Sequence, residues 1–291
     1  MAGEPTSITD TAFADRYGPW AVVAGASDGV GAAFAHAVAE RGCNVVVLAR
    51  RQGALDDVAG GISADTGVET RAVAVDLAAP DAMAKMLDAT GGLEVGLVMY
   101  CAGADPNYEP FLANSVEVSL AMVQRNCVAP MEICHHFAGS MAARGRGGIV
   151  LVSSGAGLVG ARNMVAYAAT KAFDMVMAEA LWAELHDQGV DVLALVLGVT
   201  DTPALRRLLA RRGNLAGPDD PTPIPGAATP AEVAAEAIAN LSNGPTWFVG
   251  EQLREGAKHL GAVTRSDAVR MLLEHGGGIM DTRISGQEAG G

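Results

Sequence analysis

Residues 22–31 read VVAGASDGVG, an apolar run that passes into a glycine-rich turn and then into an alanine-rich helical stretch. Gly25, Gly29 and Gly31 have the spacing GxxxGxG. Glycine is required where a turn takes positive φ and where backbone must approach a pyrophosphate without an intervening Cβ. The start of the next helix offers N–H groups and a positive dipole end to phosphates. The stretch predicts the first strand, turn and helix of a dinucleotide-binding fold, and a plain strand–helix turn is the alternative.

Short β-branched runs alternate with longer alanine-rich segments along the rest of the chain. Unbroken apolar strands joined by helical crossovers are typical of a parallel sheet that is covered on both faces. We predict strands at residues 20–24, 44–48, 70–75, 95–101, 148–153, 190–197 and 246–249. We predict helices near residues 29–41, 54–66, 80–90, 115–143, 165–188 and 230–241. The expected fold is therefore α/β, a Rossmann-like, doubly wound parallel sheet of about seven strands with a C-terminal helical extension.

No linker divides this pattern, so one dinucleotide-binding and catalytic domain is expected over residues 1–291, with its core at about 17–250. Residues 213–230 contain five prolines and three glycines, which exclude regular structure. Long loops in compact domains are usually functional, and we expect residues 203–230 to form a substrate lid. Residues 251–291 make the C-terminal extension, with a helical pattern at 266–275 and a frayed end at 285–291.

Composition limits the partners of the protein. The chain carries 20 Lys+Arg against 33 Asp+Glu, a net charge of −13, which argues against nucleic acid and anionic membrane as partners. No apolar run is long enough for a membrane span, and the first residues lack the features of a secretory signal. The four cysteines form no CxxC pair and lie in apolar surroundings, so we expect reduced thiols, no metal site and a cytoplasmic location.

The end of the second strand bears on which dinucleotide is bound. A site for NAD(H) usually places an acid about 20 residues beyond the glycines, but Ala49, Arg50 and Arg51 stand here. Arg50, with Arg51 beside it, suits a 2′-phosphate, so NADP(H) is favoured over NAD(H); a solvated loop is the alternative. Asp28, inside the glycine turn, is the feature that argues against NADP(H). After the third strand, Asp76 and the adjoining Leu77 suit the adenine, although a helix N-cap explains Asp76 equally well.

A second constellation follows the fifth strand. Ser154 ends that strand, and Tyr167 and Lys171 lie four residues apart on the next helix, which places them on one face. A phenol is a poor acid or base at neutral pH unless a neighbouring cation stabilises the phenolate. Each residue alone has an ordinary structural explanation. Together, at the carboxyl edge of a sheet with a dinucleotide turn, they predict an acid/base site.

The chain resembles the short-chain dehydrogenase/reductase family over about residues 17–250. The resemblance rests on the glycine motif, on Ser154, Tyr167 and Lys171, on Asn126 in the fourth helix, and on Gly198 and Thr202 after the sixth strand. Within the family, residues 16–35 (RYGPWAVVAGASDGVGAAFA), 44–51 (NVVVLARR) and 197–200 (LGVT) are similar to the bacterial NADP-dependent 7β-hydroxysteroid dehydrogenases.

This resemblance implies hydride transfer at a carbonyl or alcohol carbon. Tyr167 would exchange the proton of the substrate oxygen, Ser154 would hydrogen-bond that oxygen, and Lys171 would hold the nicotinamide ribose and stabilise the phenolate. Asn126 would position a water that links Lys171 to solvent, while a buried asparagine that fastens helix backbone is the alternative. The remaining cofactor contacts that the resemblance implies are Ser27, Asp28 and Val30 in the turn, Asp76, Leu77, Ala102 and Gly103 in the next loops, and Gly198, Val199, Thr200 and Thr202 after the sixth strand.

The chain departs from the family at two places. The family's Asn-Asn-Ala-Gly is Tyr100-Cys101-Ala102-Gly103 here, which removes amides that brace the sheet. The family's Pro-Gly is Leu197-Gly198, which keeps the glycine but relaxes the turn.

The expected substrate is a small molecule, a bulky apolar alcohol or ketone of steroid-like or terpenoid-like type. The rivals are a 3-oxoacyl reductase that acts on a carrier protein or CoA ester, and a non-catalytic NADP(H)-binding sensor or scaffold. We expect a homodimer or homotetramer. The arginine cluster (Arg206, Arg207, Arg211 and Arg212) is either a solvated helix face or an anchor for an anionic substrate tail. The apolar wall for a large substrate is expected from Leu205, Leu208, Leu209, Leu215 and Ile224.

Overall fold

The computed structural model describes residues 11–105 and 107–274. Its centre is a seven-stranded parallel sheet in the order β3-β2-β1-β4-β5-β6-β7. The strands are β1 (Trp20–Ala24), β2 (Asn44–Ala49), β3 (Thr70–Ala74), β4 (Val95–Tyr100), β5 (Gly147–Ser154), β6 (Val190–Leu197) and β7 (Thr246–Phe248). The strand order changes direction between β1 and β4, the point at which open α/β sheets bind ligands beyond their carboxyl ends.

Helices cover both faces of the sheet. They are α1 (Thr11–Tyr17), α2 (Gly29–Ala39), α3 (Gln52–Thr66), α4 (Ala82–Thr90), α5 (Val116–Val123), α6 (Ala129–Arg144), α7 (Val165–Leu185), α8 (Pro203–Arg211), α9 (Pro230–Asn240), α10 (Glu251–Gly261) and α11 (Arg265–Glu274). One core contains buried side chains of α1, α2, α3 and α9, and the other contains those of α4, α6 and α7. Neighbouring strand residues point to opposite cores, as Val22 and Val23 show, which is why the strands read as unbroken apolar runs.

The predicted fold class is confirmed, and every predicted strand end lies within one residue of the observed end. The predicted helix at 115–143 corresponds to α5 and α6, which follow each other without a gap. They are joined by a π-helical turn, Gln124–Val128, which was not predicted. Pro130 stands in the first turn of α6 and has no N–H to donate to the carbonyl four residues earlier, that of Asn126, so the α-helical pattern fails there.

Beyond the sheet, residues 212–229 contain no helix, in agreement with their proline content. The chain returns to the sheet edge through a bridge between Thr200 and Ala228. The predicted helix at 266–275 corresponds to α11, whereas α1 and α10 were not predicted. The predicted frayed end at 285–291 lies outside the described residues. Within the part of the chain that the structure describes, no helix has the length and apolar character of a membrane span.

Candidate active site

The elements that carry Ser154, Tyr167 and Lys171 meet at the carboxyl end of β5. Ser154 is the last residue of β5, and its Oγ accepts a hydrogen bond from the Ala156 N–H at 3.2 Å. Tyr167 lies in the first turn of α7 and is partly exposed, while Lys171 lies one turn further on and is buried. The Ser153 hydroxyl donates to the Lys171 carbonyl at 2.6 Å and fastens α7 to β5. The strand and the helix therefore present the three side chains at one edge of the sheet.

Lys171 has two close partners inside the fold. Its Nζ donates to the Val152 carbonyl oxygen at 2.8 Å and to Asp174 Oδ2 at 2.9 Å. The side chains of Lys171 and Asp174 are only 4% and 2% exposed. Asp174 was not predicted from the sequence, although its place three residues after Lys171 on one helix was a usable signal.

Asn126 connects the loop after β4 to α7. It lies in the π-helical turn and is fully buried. Its Nδ2 donates to Thr170 Oγ1 at 2.9 Å and makes a longer bond of 3.4 Å to the Gly103 carbonyl, while its Oδ1 accepts from Arg125 Nε at 3.2 Å. These contacts are those of a buried asparagine that fastens backbone elements. The water relay remains a prediction.

Tyr100 replaces the brace that the family pattern would supply. Its ring is buried, and its hydroxyl donates to the carbonyl oxygen of Arg125 in the π-helical turn. Burial raises the pKa of the Tyr100 phenol well above its ordinary value, so this donor keeps its proton. The connection between β4 and the following helix is thus made by a phenol instead of by amides.

The glycine turn forms a cradle of bare backbone. Gly25 and Gly29 have φ of +85° and +58°, and Gly25 packs against the Ala102 backbone. A Cβ on Gly31 would lie 2.2 Å from the Gly25 carbonyl oxygen. A side chain is therefore excluded at Gly25 in the turn and at Gly31 in the first turn of α2. This arrangement fits a dinucleotide pyrophosphate at the N-terminus of α2.

Charged side chains at this turn are arranged differently from the sequence expectation. Arg51 donates to Asp28 Oδ2 at 2.7 Å and makes a longer bond of 3.3 Å to Ser27 Oγ, while Arg50 is exposed at the end of β2. Arg207 of α8 also donates to Asp28 Oδ2, at 3.1 Å. The structure therefore places Arg51, more directly than Arg50, against the turn. Asp28 is the shared partner of two guanidinium groups.

The loop after β3 carries Asp76, for which one of the two interpretations from the sequence is excluded. Asp76 is exposed, and its Oδ1 accepts from the Ala78 N–H at 3.1 Å, while Leu77 is buried. The N-cap of α4 is Asp81, so the interpretation of Asp76 as a helix N-cap is wrong.

The segment after β6 is fastened over the glycine turn. Gly198 and Val199 are exposed, Thr200 is buried, and Thr202 accepts from the Leu205 N–H to cap α8. A Cβ on Gly29 would lie 3.3 Å from the Thr202 side chain, so the start of α8 stands directly beside the turn.

Three members of the arginine cluster have partners in the fold, so the freely solvated face is wrong for them, while the anchor for an anionic substrate tail stays a prediction. Arg206 forms two hydrogen bonds to Asp201, at 2.6 and 2.7 Å, and Arg207 binds Asp28. Arg212 donates to the Tyr108 carbonyl at 3.0 Å and lies over the Tyr108 ring at 5.0 Å. These three guanidinium groups hold the lid segment to the rest of the chain.

The predicted apolar wall is wrong for Leu209, Leu215 and Ile224, because these side chains are buried in a small core within the lid segment itself. An apolar side chain that was not predicted lies closer to the site. Leu253 of α10 is the nearest side chain to both Gly155 and Gly198. A Cβ added to Gly155 would lie 3.0 Å from it, and a Cβ added to Gly198 would lie 3.9 Å from it. Residue 253 lies inside the predicted helical extension, but no pattern in the sequence indicated that it would pack above these glycines.

Comparisons with known proteins give a consistent result. The family described as short chain dehydrogenase matches residues 19–213. A protein named 7beta-hydroxysteroid dehydrogenase from Collinsella aerofaciens is 34% identical over 241 residues, which cover 83% of this chain and 89% of that protein. A structure from work on 7beta-hydroxysteroid dehydrogenase stereoselectivity has a TM-score of 0.81 and 32% identity, and the match covers 89% of this chain and 98% of that chain. A human very-long-chain 3-oxoacyl-CoA reductase is 32% identical over 178 residues, 60% of this chain and 57% of that protein.

Proposed function

The chain belongs to the short-chain dehydrogenase family and is an oxidoreductase that acts on a CH–OH/C=O pair; we propose that it uses NADP(H) and a bulky apolar secondary alcohol or ketone. The observation that carries the proposal is that hydrogen bonds join the end of β5, which carries Ser154, to α7, which carries Tyr167 and Lys171, at the sheet edge that also holds the backbone cradle.

In the proposed mechanism, the bound nicotinamide supplies or accepts the hydride. Tyr167 gives its hydroxyl proton to the carbonyl oxygen during reduction and takes it back during oxidation. Ser154 donates a hydrogen bond to the same oxygen and stabilises the charge that develops on it. Lys171 contributes positive charge next to the phenol, and the bonds of its Nζ to Val152 and Asp174 set where that charge lies.

The preference for NADP(H) is supported by the end of β2. Ala49 stands where NAD(H) sites usually carry an acid, and Arg51 is already directed at the glycine turn. A planar guanidinium matches a 2′-phosphate in charge and geometry, and Arg50 lies beside it on the exposed end of the strand.

The substrate class is proposed from two observations. The relatives that match most of this chain are named for a hydroxysteroid, and Leu253 and the exposed Val199 present apolar side chains near Ser154. The 3-oxoacyl alternative matches less of the chain. An acidic carrier protein would need a basic docking patch, but Arg206 and Arg207 are already paired with Asp201 and Asp28.

We propose further that the enzyme is a homo-oligomer. Apolar side chains stand exposed on the outer faces of α5, α6 and α7, among them Leu120, Val123, Met131 and Val176, which are 40–63% exposed. Contiguous exposed apolar surface is typical of an interaction face, so a second copy of the chain is the occupant we expect.

Turnover of a panel of small ketones and steroid-like ketones with NADPH and NADH tests the proposal. Tyr167→Phe should lower kcat by about 10²–10⁴-fold while NADPH binding stays near wild type, because only the reacting hydroxyl is removed. Tyr17→Phe is the matched control, since its hydroxyl bonds Asp191 at the opposite end of the sheet. Near-normal turnover by Tyr167→Phe would refute the assignment, and absence of turnover by the wild type would favour the sensor alternative.

A further inference from the structure

The ion pair between Lys171 and Asp174 is buried to an unusual degree. The N–O distance is 2.9 Å, and the two side chains are 4% and 2% exposed. Removing charges from water is costly, and an apolar pair of similar volume is often at least as stable. A buried ion pair next to a reacting group is therefore a candidate for a functional role.

The carboxylate of Asp174 is not fully satisfied. Oδ2 accepts from Lys171, whereas Oδ1 is buried and no donor among residues 11–105 and 107–274 reaches it. The groups that face Asp174 from other elements are Tyr100 on β4 and Cys127 and Cys134 on the π-helical turn and α6, with Arg125 acting on Tyr100 from further away.

Tyr100, Cys127 and Cys134 carry no charge at neutral pH. Burial raises the pKa of Cys127 to about 11 and that of Cys134 to about 12, and it raises the pKa of Tyr100 well above its ordinary value. Burial also raises the pKa of the Asp174 carboxyl, and the Lys171 ammonium opposes that rise. The contact between Asp174 and Lys171 is thus the electrostatic interaction that balances the buried carboxylate.

The position of Lys171 is fixed from two sides. Asp174 holds the ammonium from the same helix face, and the Val152 carbonyl holds it from β5. Both partners belong to the rigid sheet–helix framework, so the cation is set in place without any contribution from a ligand. A lysine with solvent for its only partner would sample several side-chain conformations.

We propose that Asp174 is a positioning residue for the reaction, whose carboxylate holds the Lys171 ammonium at the end of β5. This inference rests on the proposed function, because it assigns Tyr167 the acid/base role.

The activity test uses Asp174→Asn, which keeps the shape and removes the charge. Without the carboxylate, the ammonium is no longer held in place and stabilises the charge that develops on Tyr167 less well. The rising limb of kcat/KM against pH for alcohol oxidation should move to higher pH by about one unit. Asp81→Asn is the matched control, since it removes the carboxylate of an exposed pair with Lys85 on α4. A profile that coincides with the wild type, or moves to lower pH, would overturn the proposal.

A second measurement does not depend on activity. The chain contains three lysines, and the side chains of Lys85 and Lys258 are 51% and 73% exposed. With ¹⁵N-lysine labelling, the free wild-type protein should show one ammonium signal protected from solvent exchange. That signal should be lost in Asp174→Asn, retained in Asp81→Asn, and shifted but present in Asp174→Glu.

The two readouts separate failure of this inference from failure of the proposed function. Absence of a protected lysine ammonium in the free wild-type protein refutes the positioning role even if Asp174→Asn does not fold. A protected ammonium in a protein that turns over no alcohol or ketone refutes the proposed function and, with it, the role of Asp174 in the reaction.

Discussion

Asp28 offers a sensitive test of cofactor choice, because it places a carboxylate where the proposed 2′-phosphate is to be held. Its Oδ2 accepts from Arg51 at 2.7 Å and from Arg207 at 3.1 Å. A phosphate on another edge of the Arg51 guanidinium would stand about 6 Å from that carboxylate, given ordinary hydrogen-bond lengths. Replacing Asp28 by Asn keeps the size of the side chain and removes the repulsion.

The size of the effect follows from the exposure of the groups. The side chains of Arg51 and Asp28 are 57% and 29% exposed, so the dielectric constant is close to that of water. At about 6 Å and with about 1.5 to 2 charges on the phosphate, Coulomb's law gives roughly 1 to 1.4 kcal/mol. NADPH should therefore bind about five- to tenfold more tightly to Asp28→Asn. Loss of the exposed contact to Arg207 offsets only a small part of this gain.

The assay is calorimetric titration of NADPH and of NADH into the wild type, Asp28→Asn and Asp56→Asn. The last variant removes one negative charge from α3, where Asp56 accepts from Gln52, and controls for net charge. The gain should be specific to NADPH and should shrink as salt is added. In the same series Arg51→Ala should weaken NADPH binding more than Arg50→Ala does. Equal gains for both cofactors, or no gain for NADPH, would show that the phosphate does not lie beside Asp28.

Three other substitutions test the described contacts. Gly31→Ala should abolish NADPH binding and lower the melting temperature, because its Cβ would stand 2.2 Å from the Gly25 carbonyl oxygen. Gly53→Ala on α3 is the control, since its Cβ would meet nothing within 4 Å. NADPH binding and the melting temperature of this control should be unchanged or slightly improved. Tyr100→Phe leaves the Arg125 carbonyl without its buried donor and should cost about 1–3 kcal/mol in chemical unfolding, with native-like CD. Deleting residues 218–225 should lower turnover of large ketones far more than that of small ones with NADPH binding preserved; a parallel fall would contradict the lid.

The sheet was predictable because burial on both faces leaves a direct mark on the sequence. All of β4 is buried, and its residues form one apolar run. The π-helical turn between α5 and α6 was predictable in principle from Pro130, since a proline inside a long helical pattern removes one N–H. It was not predicted because the helical pattern continues through residues 124–128 and conceals the change of hydrogen bonding.

The candidate site, like the fold, was predictable from the sequence only in part. Ser154, Tyr167 and Lys171 were predicted from local spacing, because a strand end and one face of the next helix lie at the same edge of the sheet. The partner of Arg207 was not, since Asp28 lies 179 residues away in the chain and only the packing of α8 on the turn joins them. The wall assigned to Leu209, Leu215 and Ile224 failed for a related reason: periodicity shows that a side chain is apolar, not which surface it covers.

The net charge of −13 opposes an anionic cofactor at long range, whereas the local arrangement at the glycine turn favours it. Arg51 and Arg207 share the carboxylate of Asp28, so two guanidinium groups stand against one carboxylate at the turn. The Debye length near physiological salt is about 8 Å, so charges elsewhere on the surface are largely screened there. A phosphate at this turn therefore meets a positive field on an acidic protein. Asp28 limits the strength of that field, and this is why replacing a single carboxylate is expected to change NADPH affinity more than altering the total charge elsewhere.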